Sequence, residues 1–76
     1  MGHFTEWGGP TAGWLSGAEA RALAKEIRER HPGWWAVHFS VAQGIGAVEV
    51  TLPRCKKYRI RNRAEYRDML RENDAA

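Results

Sequence analysis

The chain has 76 residues, of which 12 are Lys or Arg and 9 are Asp or Glu, giving a formal net charge of +3. So short a chain leaves room for one domain and argues against a second. No apolar run approaches the ~20 residues of a membrane span, and the Met1–Trp7 start lacks the basic-then-apolar order of a signal peptide. The lone Cys55 cannot close an internal disulfide, so an intracellular, cytoplasmic protein with no membrane partner is the expectation.

A small domain buries a modest fraction of its surface and leans on large side chains or on oligomerisation. Four tryptophans are present, and each can bury roughly 200 Å2. Any tryptophan left outside the core needs its own explanation. Charge is unevenly placed: residues 1–53 hold four basic and five acidic side chains, whereas residues 54–76 hold eight and four. Arginine outnumbers lysine nine to three. A GC-rich genome produces that bias on its own, so arginine placement carries more weight than arginine count. A positive field at one end of a chain speaks to partners rather than to fold.

Residues 1–15 read as an irregular arm, because Gly8-Gly9-Pro10 and Gly13 interrupt any regular pattern. Phe4, Trp7 and Trp14 are unusual in a flexible tail, so part of the arm is expected to dock on the body. Ser16-Gly17-Ala18-Glu19 fits a capping box and opens a first helix that runs to Arg30. Ala20, Leu23, Ala24 and Ile27 share one face of it, and Glu26 can pair with Arg30. Pro32 and Gly33 stop it.

A first strand follows over Trp34–Val41. Its alternation predicts Trp35, Val37, Phe39 and Val41 toward the core, and Trp34, Ala36, His38 and Ser40 away from it. Gln43-Gly44-Ile45-Gly46 is the expected turn. A second strand over Ala47–Leu52 turns Val48, Val50 and Leu52 inward, with Glu49 and Thr51 outward. After a turn at Pro53-Arg54-Cys55-Lys56, a short third strand, Lys57–Arg61, turns Tyr58 and Ile60 inward. Lys57, Arg59 and Arg61 then point outward. Asn62-Arg63-Ala64-Glu65 caps a second helix whose apolar face is Tyr66, Met69 and Leu70. Arg63, Arg67 and Arg71 form a stripe along it, and residues 74–76 are expected to fray.

These elements predict an α+β domain over residues 16–73, in the order α-β-β-β-α. It is a three-stranded antiparallel meander with two helices on one face. The opposite sheet face is left open, with Trp34, His38, Lys57, Arg59 and Arg61 among its residues.

The strongest motif is basic. Arg54, Lys56, Lys57, Arg59, Arg61 and Arg63 fall within ten residues that contain no acid. Such a cluster suits phosphate, because each neutralised phosphate releases counterions, and arginine presents a planar fork matched to phosphate and carboxylate. The plainer reading is an edge strand defended by charge against aggregation. Trp34 is the aromatic expected beside the cations, available to stack a base or to be covered by the arm or a second copy. His38, expected near the same arginines, could serve as general acid or base in RNA cleavage. No His or Cys pair has zinc-site spacing, Cys55 reads as an ordinary turn residue, and Gly44-Ile45-Gly46 leads into no helix and so is not a phosphate loop. No cofactor or metal is expected.

The helix–three strands–helix order resembles that of double-stranded-RNA-binding domains and of small toxin ribonucleases of the HicA type, in order of elements over residues 16–73. The second helix begins Asn62-Arg63-Ala64-Glu65, with one basic residue in its first turn, where those RNA-binding domains have a lysine-rich start. The stretch Val37-His38-Phe39-Ser40 lacks the Gly-Ser/Thr-x-His of the toxins. No functional residue is carried over.

The sequence therefore favours a small non-enzymatic binding module or regulator. Its expected contact residues are Arg54, Lys57, Arg59, Arg61, Arg63 and Arg67, with Trp34 and His38 beside them. Its expected partner is nucleic acid. The rival readings are a protein-interaction module for an acidic surface, with a homodimer through the open face, and a small ribonuclease using His38.

Overall fold

The computed structural model describes residues 13–75; expectations for Phe4, Trp7 and the glycine-rich run before residue 13 lie outside the described residues. The elements are β1 (Leu15–Ser16), α1 (Gly17–Arg30), β2 (Trp35–Ala42), β3 (Ile45–Thr51), β4 (Lys57–Ile60) and α2 (Arg63–Ala75). The α+β class, the antiparallel meander and the two helices are as the sequence predicts. The sheet has a fourth strand, because Leu15 and Ser16 pair with Gly46 and Ile45. β3 is central. β2 lies along one side of it, and β1 and β4 lie end to end along the other. The Leu15 amide donates to the Arg61 carbonyl at 2.8 Å and closes the seam between β1 and β4.

Both helix starts are capped as the sequence requires. In α1 the Ser16 hydroxyl accepts from the Glu19 amide at 3.1 Å, and the Glu19 carboxylate accepts from the Ser16 amide at 2.9 Å. At α2 the Asn62 side chain accepts from the Glu65 amide at 2.9 Å, while its amide group donates to the Gly13 carbonyl at 2.9 Å. The cap thus also fastens the first described residues. α2 continues to Ala75.

Ala20, Leu23, Ala24 and Ile27 of α1 are fully buried against Val48, Val50 and Ile60, and Tyr66 and Met69 of α2 close the same core. The two helices are tied by Arg63 with Glu26 at 3.1 Å and by the Tyr66 hydroxyl with His31 Nε2 at 3.2 Å. Gly46 is required where α1 crosses the sheet: a Cβ there would stand 2.9 Å from the Ala20 Cβ. The β3–β4 turn holds Cys55 at φ 66, with its amide donating to the Leu52 carbonyl at 2.8 Å.

β3 and β4 face as predicted, but β2 is inverted. Ala36 pairs with Val50 and His38 with Val48, so Ala36 and His38 share the helix-covered side. Trp35, Val37 and Phe39 pair with Thr51, Glu49 and Ala47 on the open side. The cause is a bulge: Ser40 pairs with Gly46 and Ala42 with Ile45, leaving Val41 as an extra residue. An uninterrupted ladder from the two-residue turn Gln43-Gly44 would set Phe39 opposite Val48, facing the core. One inserted residue shifts the register and flips the strand. The inversion fits the helix above it, because alanines at positions 20, 24 and 36 bring α1 close to the sheet, where a tryptophan would not fit.

Two site residues are thereby corrected. Trp34 precedes β2 and lies on the helix side, stacked on His31 with ring centroids 3.8 Å apart and planes 10° from parallel. His38 is exposed at the far edge of the helix-covered side, near Gly17 and Arg21, away from the arginines of β4.

Candidate nucleic-acid interface

The open sheet face carries two parallel rows. Along β4 run Lys57, which pairs with Thr51, and Arg59, which pairs with Glu49; Arg61 follows just beyond the strand. Along β2 run Trp35, Val37, Phe39 and Val41. Neither helix covers this face, and Trp35 is 62% exposed, Phe39 36% and Val41 41%. Monomeric proteins rarely leave contiguous apolar surface of this kind uncovered unless it binds something.

The rows touch at one end. The Arg59 guanidinium lies 6.0 Å from the Phe39 ring centroid and that of Arg61 5.7 Å from the Trp14 ring, within reach of cation–π attraction. Ala47 on β3 forms the floor between them and is only 2% exposed. Trp14, Phe39, Val41, Ala47, Arg61 and Glu65 line an open groove of about 440 Å3.

Two of the cations are held by carboxylates. Arg59 Nε is 3.5 Å from Glu49 Oε2. Arg61 is fixed more firmly: its Nε donates to Glu65 Oε2 at 2.9 Å, its Nη2 reaches the same oxygen, and its backbone amide donates to Glu65 Oε1 at 2.7 Å. Hydrogen bonding from Arg61 holds the Glu65 carboxyl below the usual carboxylate range, and the same contact raises Arg61 further. Both arginine side chains nonetheless remain exposed, and Lys57 is exposed at the far end of the row.

The other expected contact residues are elsewhere. Arg63 reaches across to Glu26 on α1 and draws that carboxyl below its ordinary value. Arg67 is exposed on α2. Arg54 lies in the β3–β4 turn and lines a separate groove with Trp34, Leu52, Pro53, Lys56 and Asn73. The structure thus brings Lys57, Arg59 and Arg61 together and leaves Arg54, Arg63, Arg67, Trp34 and His38 outside that row.

Sequence reasoning missed Trp14, Trp35 and Phe39 as open-face residues. One signal was available: α1 presents alanines at positions 20 and 24, which leave little depth for Trp35 or Phe39 beneath them. Among the described residues no group of three or more His, Cys, Asp or Glu side chains could hold a metal ion, and no helix is long and apolar enough to cross a membrane. Compared with known proteins, the chain matches no family model, no curated protein and no solved structure.

Proposed function

We propose that this chain is a non-enzymatic binding module that contacts nucleic acid through the open face of its sheet. The observation that carries the reading is the row Lys57–Arg59–Arg61, cations at alternate positions along β4 and just beyond its end, on one uncovered face. Side chains at alternate positions of a strand stand about 6.6 Å apart, so the row can meet successive phosphates. The +4 balance of residues 54–76 adds a long-range field of the right sign. His38 stands apart from the row, and no catalytic role is assigned to it.

The test is a fluorescence-anisotropy titration with labelled DNA and RNA at about 50 and 200 mM salt, where phosphate contacts weaken steeply. The expected result is saturable binding at the lower salt that is lost when Lys57, Arg59 and Arg61 are changed together to Ala, with the melting profile retained. Absence of binding at about 50 mM salt overturns the reading.

A further inference from the structure

The apolar row on β2 has no role in a surface built only for phosphates. Trp35, Phe39 and Val41 lie outside the core on a strand whose other side packs Ala36 against α1. The bulge at Val41 fixes them there. An occupant must therefore offer flat apolar faces to β2 and negative charge to β4 at the same time.

The distance between the rows is set by the sheet. β2 and β4 flank β3, so they stand about 9–10 Å apart. Glu49 sits on β3 between them and disfavours an anion at the centre of the face. Phosphates are thus directed to the β4 side, and whatever leans across toward β2 must be uncharged. A duplex keeps its base faces inside the stack and offers a sheet only backbone and groove edges. An acidic protein surface would meet the cations but has no need of two exposed aromatic rings. A single strand has both parts, at the right separation: a charged backbone and bases with open π-faces.

Resting on the nucleic-acid reading above, we infer that the ligand is a single strand laid along the sheet, with its backbone on β4 and bases stacked on Trp35 and Phe39. The two rings are four residues apart, about 13 Å along the strand, so they engage different nucleotides. The smaller Val37 between them leaves room for the intervening part of the strand. The groove beside Phe39, floored by Ala47 and walled by Trp14, takes one base edgewise. Arg59, over the Phe39 ring, contacts both the stacked base and its phosphate.

The experiment compares oligothymidylate and oligouridylate of about 12 nucleotides, within the range a small platform covers, with a duplex of equal length at about 50 mM salt. Each is titrated against the full chain, a Trp35→Ala/Phe39→Ala variant and a Trp35→Phe/Phe39→Trp variant. All three are also checked by circular dichroism and sedimentation. The expected result is tighter binding of the single strands than of the duplex. The double alanine variant should lose about 25-fold or more on single strands, fivefold for each ring, with little change on duplex, and the aromatic exchange should restore binding. Equal affinity for both ligands, untouched by the alanine variant, overturns this inference and leaves the nucleic-acid reading standing. Absence of binding to every probe overturns both. If the parent then sediments as a dimer that the alanine variant dissociates, the face is covered by a second copy instead.

Discussion

His31 shows how one side chain ties local and long-range structure together. It ends α1, stacks on Trp34 and hydrogen-bonds Tyr66 on α2. Burial, and then the charge of Arg30, push its pKa below the ordinary histidine value. The fold therefore favours the neutral ring. A group depressed in this way contributes stability that is complete above the unfolded value of about 6.5 and is lost as pH falls from there through the folded value. Urea unfolding between about pH 5 and 8 should show stability rising with pH up to about 6.5 and level above it. His31→Gln should flatten the rise, and an unchanged slope would show that another group is responsible.

At the scale of an element, β2 is the informative piece. Its sequence alternates cleanly, so its residues form a strand whichever side faces the helices. The choice between the two sides lies in one extra residue at Val41. Deleting Val41 alone would leave Ser40 opposite Gly46 and β2 in its present register, whereas deleting Ser40 and Val41 together would set Val37 opposite Val48 and drive Trp35 and Val37 against α1, over the space that Ala36 now fills. Overpacking of this kind costs about 1–3 kcal/mol or more, a large part of the stability of a small domain. The expected outcome is a melting midpoint lower by several degrees, or loss of a cooperative transition. A double-deletion variant that melts like the parent and keeps Trp35 open to acrylamide quenching would show that packing, rather than register, holds β2 outward.

For the whole molecule, much was legible in the sequence. Both caps, both helix faces, the meander and the inward sides of β3 and β4 follow from local rules about hydrogen bonding and periodicity. The cation row was legible too, since Lys57, Arg59 and Arg61 alternate with Tyr58 and Ile60. Illegible were the bulge, where one extra residue in the hairpin decides the register, and two contacts distant in sequence, the pairing of Leu15 with Gly46 and the capture of Arg63 by Glu26. That capture moved one expected contact residue out of the site, and the bulge moved Trp35 and Phe39 into it. On the proposed reading three cations, Lys57, Arg59 and Arg61, face the strand, which sets a quantity. The logarithm of the single-strand affinity should fall against the logarithm of salt concentration with a slope of about −2, three phosphates at roughly 0.7 each. A slope near −4 would mean that Arg54, Arg63 and Arg67 also take part.

The seam between β1 and β4 bears on the order in which the chain folds. Leu15 and Arg61 are more than half the chain apart, yet the amide of one is bonded to the carbonyl of the other. The β2–β3 hairpin and α1 can form from near neighbours, whereas this closure waits on a loop of more than half the chain. Trp14 arrives with it, so the groove beside Phe39 has its second wall only when the last piece is seated. A chain that has collapsed but not closed this seam carries the cations of β4 without the finished groove. A ligand held in that groove draws the equilibrium toward the closed chain by mass action.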